Sequence, residues 1–264
     1  MINLENVTLV SIDSVKDNPN KSNIRLAAVS RLVPEICKHI NFGDVLMVNP
    51  FNKNKELIEQ KFETLWPFDW ENSGGIAWYN NFLIKQLPHL IKTDWYLIIQ
   101  WDGFPRFHNF YFDNEFFNYP YLGGGHSLIN GGFSLRNTKV MQDISKINET
   151  YNKGSEDAFY STFFDNEFTQ EYATPFKFKW PEENVLNKFC FFEDTKYYET
   201  TFGWHRSYCL SKKKIFEMFK ETGIFNSNEL DLLVDYSLLK EINGVHFDLK
   251  NYQLEYNQEF FDKY

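Results

Sequence analysis

The sequence predicts a single α/β domain in which a mixed, mostly parallel central sheet is flanked by helices. Three observations predict it. The chain opens as strand, helix and strand. The run Asp94–Gln100 (DWYLIIQ) is apolar enough to be a strand buried on both faces. Helical periodicity then alternates with short β-branched or glycine-bounded runs as far as the polar-aromatic tail.

The first strand is read at Asn6–Asp13 (NVTLVSID). A helix follows, capped by Ser22 or Asn23, with Ile24, Ala28, Leu32, Ile36 and Ile40 recurring every four residues and Pro34 expected to kink it. Asn41 and Gly43 are read as its end, and Asp44–Asn49 as a second strand, parallel to the first by a right-handed crossover. A polar helix near Lys55–Phe62 and a loop at Ser73–Gly75 precede a helix carrying Ile76, Tyr79, Asn80, Leu83, Leu87 and Leu90. After DWYLIIQ the chain turns at Asp102-Gly103. Short strands are expected at Tyr119–Leu122 and Gly131–Arg136, and helices at Thr138–Ile147, Glu156–Asp165 and Pro181–Phe189. An extended segment at Thr200–His205 leads to helices over Ser211–Glu221 and Asn228–Ile242. No internal repeat or low-complexity linker divides the 264 residues.

Composition bounds the partners. Lys and Arg total 27 against 36 Asp and Glu, a formal charge of −9, which excludes a nucleic-acid scaffold built on a basic patch. Met1–Glu5 lacks the basic start of a secretory signal and no run approaches a membrane span, so a cytoplasmic chain is expected, with peripheral membrane contact left open. The three cysteines, Cys37, Cys190 and Cys209, have no metal-ligand or redox spacing and read as small buried hydrophobes. Aromatic residues make up 19 % of the chain, and the stretch Phe104–Tyr121 is dense enough to line part of a cleft as well as fill the core.

Four segments carry chemistry. Asp102 ends the strongest strand, where ligands gather in open α/β sheets, and a carboxylate there can hold a divalent cation; an Asp-Gly turn is the alternative. Gly123–Arg136 (GGGHSLINGGFSLR) places five glycines within ten residues, either to let backbone approach a ligand or as a glycine-rich hairpin or bulge. It is neither a dinucleotide fingerprint nor a P-loop. Glu156 and Asp157 open a helix after Gly154-Ser155, as dipole partners or as a general base for a hydroxyl. His205, in FGWHR, is a metal ligand, a phosphate contact or a packed ring, and Arg206 beside it suits phosphate; His126 is a weaker counterpart. Arg106, Arg136 and Arg206 all lie within four residues of these segments.

In this order the segments resemble a family of glycosyltransferase-like proteins. The resemblance rests on Tyr79-Asn80, Ile99-Gln100-Trp101-Asp102, Tyr119–Gly123 (YPYLG), Asn130–Arg136 (NGGFSLR), Glu156-Asp157 with Phe159, and FGWHR at Phe202–Arg206. It implies a GT-A-like fold in one domain over 1–264, with a nucleotide-sugar half at 1–125 and an acceptor half at 126–264. The implied activity is transfer of a sugar from a nucleotide-sugar donor to a glycan or small hydroxyl acceptor. Asp13, Asp102, Gly103 and Arg206 would bind the donor, and Asn130, Gly131, Gly132 and Phe133 the acceptor. Asp157, with Glu156 close behind, would be the base. Asp102 and His205 would ligate Mn²⁺ or Mg²⁺, although Phe104 stands where the family's second acid would be. The alternatives are a non-catalytic nucleotide- or glycan-binding protein on a degenerate transferase fold, and a glycoside hydrolase using Asp102 and Asp157.

Overall fold

A computed structural model describes residues 1–12, 19–48, 79–107, 111–125, 129–147, 156–164, 180–191, 201–205 and 212–239. Strand β1 (Ile2–Ile12) is followed by helix α1 (Pro19–His39), whose first residue is a proline, a position where the missing N–H has no intrahelical partner in any case. The helix starts ahead of Ser22 and Asn23, and Pro34 lies inside it. Its apolar face, with Ala28, Leu32, Val33 and Ile36 fully buried, packs on β1 and on β2 (Ile40–Val48), which runs parallel to β1 as expected.

Asn41 and Gly43 do not end the helix; they lie within β2. The β1–β2 register shifts between Leu4 and Thr8, and at this irregularity a side chain on Gly43 would put its Cβ 2.0 Å from the Glu5 carbonyl oxygen. The glycine is therefore a device of strand pairing, the close backbone approach typical of a bulge. Gly43→Ala should cost about 1–3 kcal/mol, because backbone on both sides must shift. That is a fall of several degrees in Tm by thermal melt, and an unchanged Tm would show that the strands part without cost.

A helical stretch over 79–90 (α2) contains a π-turn at Phe82–Gln86 before Leu87–Leu90. Pro88 has no N–H for the Ile84 carbonyl and its ring would press on it, so the turn before it widens. Strand β3 (Trp95–Ile99) is buried throughout and pairs parallel with β1. The next sheet strands are β5 (Tyr121–Gly124) and β6 (Asn130–Asn137), after a two-residue β4 (Phe104–Pro105) and a 3₁₀ turn at Asn114–Asn118. The central sheet has the order β2-β1-β3-β6-β5, and only β6 runs against the others. Helices α3 (Thr138–Ile147), α4 (Glu156–Phe164) and α5 (Glu183–Phe189) follow. The expected extended segment contains β8 (Gly203–Trp204), which pairs with β4 and with β7 (Cys190–Phe191) in a second small sheet. Helices α6 (Lys212–Glu221) and α7 (Ser227–Leu239) pack on each other.

One hydrophobic core joins these elements. Rings from the aromatic-rich stretch fill it rather than lie open: Phe116 meets Phe189 edge-on at 5.3 Å and Phe202 at 6.3 Å, and Tyr111 alone among its described residues is a large exposed hydrophobic. Cys37 and Cys190 are free thiols, and burial pushes Cys37 up to about 11, away from thiolate chemistry. Among the described residues no helix is long and apolar enough to cross a membrane. The expected helix at Lys55–Phe62, the loop at Ser73–Gly75, Cys209 and the tail lie outside the described residues.

Candidate functional site

The site is organised by a bulge in β6. Against β3 the register is regular, from Trp95↔Asn137 to Ile98↔Ser134. Against β5 it starts as Tyr121↔Arg136 and Leu122↔Leu135, then slips to Gly124↔Asn130. Residues 131–134 thus face Gly123 alone on the β5 side, a surplus of three. Side chains of the same segment hold the surplus in shape. The Asn130 carboxamide oxygen accepts the Gly132 N–H at 3.0 Å, and the Ser134 hydroxyl donates to the Gly131 carbonyl at 2.8 Å.

The two glycines allow side chains to close in on this backbone. A Cβ on Gly131 would lie 2.0 Å from Glu156 Oε1, 2.4 Å from Arg136 Nη2 and 2.7 Å from Asp157 Oδ1. On Gly132 it would lie 2.1 Å from His205 Nε2 and 2.6 Å from Gln100 Oε1. Adjacent residues therefore gather two polar groups: Arg136, Glu156 and Asp157 about Gly131, and His205 with Gln100 about Gly132.

In the first group Arg136 is fully buried between the rings of Tyr121 and Tyr160, its guanidinium carbon 5.0 and 5.1 Å from their centroids. Its Nη2 donates to Glu156 Oε1 at 2.8 Å and to the Gly131 carbonyl at 3.2 Å, and its Nε to the Ser134 hydroxyl at 2.9 Å. Glu156 is buried in this ion pair, and its backbone N–H donates to Asn80 Oδ1 at 3.2 Å. Asp157 is half-buried and accepts the Gly131 N–H at 2.7 Å. Burial, then the charge of Glu156, raises the Asp157 carboxyl well above the usual carboxylate range, against the opposing pull of Gly131 N–H and Arg136. The two acids that open α4 thus have different surroundings, one locked to an arginine and one reachable by solvent.

In the second group Gln100 is half-buried at the end of β3, and its Nε2 donates to the Tyr79 hydroxyl at 2.7 Å. That bond turns Oε1 toward Gly132. Tyr79 and Asn80 open the described part of α2, just ahead of its π-turn, and so tie Gln100 on one side to Glu156 on the other. Gln100 and Tyr79 were visible in the sequence as parts of quoted stretches, but nothing local marked Gln100 as a member of the site.

Asp102 lies in a tight turn closed by two backbone hydrogen bonds between Gln100 and Gly103, 2.8 and 3.1 Å long, and is 1 % exposed. The Asp-Gly turn expected after the strand is therefore formed, with Asp102 enclosed in it. A Cβ on Gly103 would meet the His205 ring at 2.5 Å, so the imidazole, 3 % exposed, sits between the turn and the bulge. Among the described residues no three His, Cys, Asp or Glu side chains converge where a metal ion could sit. The His205 ring lies against Gly103, the residue after Asp102, so Asp102 and His205 are the side chains a cation here would draw on.

Two of the three arginines near these segments are engaged internally. Arg106 is buried, stacks 5.1 Å from the Trp204 ring centroid and pairs with Glu221 at 3.2 Å, and Arg136 pairs with Glu156. Both are internal counter-ions. Phe133, expected beside an acceptor, turns its fully buried ring into the core, stacked on Phe189 at 5.1 Å, which leaves only its backbone to the site. Asn130, Gly131, Gly132, Asp157, Gly103 and His205 are brought together, and Asp102 precedes Gly103 in its turn. Asp13, Arg206 and His126 lie outside the described residues.

Residues 64–205, more than half of the chain, match the family described as protein of unknown function (DUF5672). The chain belongs to this family. The matched stretch takes in Tyr79, Gln100, the bulge and the Glu156-Asp157 pair, and it ends on His205, so every residue of the two polar groups lies within it. No curated protein matches the chain.

Proposed function

We propose that the protein transfers a glycosyl group from a nucleotide-sugar donor to a hydroxyl acceptor, on a GT-A-like arrangement of its mostly parallel sheet. The observation that carries the reading is Asp157: a half-buried carboxylate at a helix start, aimed by the Gly131 N–H, with a proton affinity raised toward that useful in a base. In this reading the acceptor lies over Asn130–Gly132, and its hydroxyl proton passes to Asp157 as the oxygen bonds to the anomeric carbon. The bond from that carbon to the diphosphate breaks, and the nucleoside diphosphate leaves. Asp102 and His205 would hold Mn²⁺ or Mg²⁺, whose charge offsets that of the departing diphosphate. The ends of β1 and β3, with Gly103, would receive the donor, as the carboxyl ends of strands do in open α/β sheets. Gln100 Oε1 offers an acceptor of hydrogen bonds to a sugar hydroxyl.

Binding is tested first. A nucleoside diphosphate at about 100 times its Kd should stabilise the chain by roughly 2.7 kcal/mol, a rise of about 5–10 °C in Tm. Uridine, guanosine, cytidine, adenosine and thymidine nucleotides are compared with and without Mn²⁺. No shift with any of them removes the donor site. A shift without turnover on a panel of nucleotide sugars and glycan acceptors points instead to a binding protein on the same fold.

A further inference from the structure

We propose that Arg136 and Glu156 act as a positioning pair for Asp157, fixing both the peptide that aims its carboxylate and the charge beside it. The inference rests on the reading of Asp157 as the base, but the outcomes that decide it need no turnover.

The Gly131 peptide is held at both ends. Its N–H donates to Asp157 Oδ1 at 2.7 Å, and its carbonyl accepts from Arg136 Nη2 at 3.2 Å and the Ser134 hydroxyl at 2.8 Å. Movement of the guanidinium is therefore movement of the donor that aims Asp157. The guanidinium itself has little freedom, because Tyr121 and Tyr160 cover it and Ser134 holds its Nε. A planar fork between two rings can keep several bonds in register at once, which a lysine ammonium cannot. Glu156 completes the unit, with its side chain on Arg136 and its N–H on Asn80.

Stability alone does not account for the pair. A buried ion pair gives up hydration on both partners, and a well-packed apolar replacement is often neutral or more stable. This one sits one peptide from a half-exposed carboxylate, where geometry and charge have a further use. Among the described residues, the charged and titratable groups that face Asp157 are Glu156 from its own helix, Arg136 from β6, Tyr121 from β5 and Tyr79 from α2. Of these Glu156 is the one that raises its proton affinity most, and Arg136 opposes it.

The experiment follows the Asp157 carboxyl carbon by ¹³C NMR in the full chain, assigned by its loss in Asp157→Asn, together with the Gly131 amide resonance. In the unaltered protein the midpoint should lie above the usual carboxylate range. Glu156→Gln keeps an oxygen for Arg136 but removes the neighbouring charge, so the midpoint should fall, and the acidic limb of the pH–rate profile should move to lower pH with it. Arg136→Lys keeps the charge and loses the fork, so the Gly131 amide should shift and turnover should fall about 10²-fold with KM little changed. An unmoved midpoint in Glu156→Gln overturns the proposal, as does an unmoved Gly131 amide in folded Arg136→Lys. If Arg136→Lys does not fold, Glu156→Gln decides alone. The expected NMR changes without turnover on any donor sustain the pair and overturn the transferase reading.

Discussion

Replacing Asp157 with asparagine should lower turnover by roughly 10²–10⁴-fold and, at neutral pH, raise the melting temperature. The first effect follows from removing the proton acceptor while an amide oxygen remains for the Gly131 N–H. The second follows from the raised proton affinity of the buried carboxyl. With the folded value above the unfolded one, the native chain holds more protons than the unfolded chain. Stability from this group is then full at low pH and is lost as pH climbs from the ordinary carboxylate range through the folded value. Asparagine has no charge to bury, so it should abolish that loss. Melting curves at several pH values, run beside steady-state kinetics, check both halves. Turnover near normal removes Asp157 as the base, and a Tm deficit in the variant that grows as pH rises shows that the carboxylate stabilises the fold in its charged form.

The second large effect is expected at Arg136. Arg136→Met leaves Glu156 buried without its counter-ion, a loss of about 3–5 kcal/mol, or roughly 10 °C in Tm for a chain of this size. Changing Glu156 to Met as well removes the orphaned charge and should restore most of the stability. Turnover should not return with it, because the Gly131 carbonyl keeps the Ser134 hydroxyl but still lacks the guanidinium that fixes it. Denaturant unfolding of the single and double variants measures the difference. Equal stability of the single variant and the unaltered protein would mean that solvent reaches Glu156 when the arginine is gone.

What the sequence made legible was local. The opening strand, helix and strand, the DWYLIIQ strand, helix Thr138–Ile147 and the helix beginning at Glu156 all follow from periodicity and polarity within a dozen residues. What it concealed was set by distant partners. Gly43 reads as a helix stop until the Glu5 carbonyl is found against it. Phe133 reads as part of a ligand-binding motif until Phe189, far along the chain, covers its ring. Arg106 and Arg136 read only as cations near the segments that carry chemistry, and only the fold brings Glu221 and Glu156 to them. At the site, the cluster of glycines was visible, but which carboxylate of Glu156 and Asp157 would be engaged was not. That choice depends on the direction in which a helix starts relative to a bulged strand.

The π-turn at Phe82–Gln86 sets the rotational phase of the residues before it. Each residue of an α-helix advances about 100° around the axis. One additional residue in the turn therefore swings Tyr79 and Asn80 by that amount relative to Leu87–Leu90, which anchor the other end of the stretch. Deleting a single residue from the widened turn would let the helix close as a regular α-helix, with its apolar stripe still facing the core. Tyr79 would then point away from Gln100 and Asn80 away from Glu156, so the two polar groups flanking the glycines would lose their common strut. Chain length across this short segment is consequently held fixed by angle, and a sequence one residue shorter would build the same helix facing the wrong way.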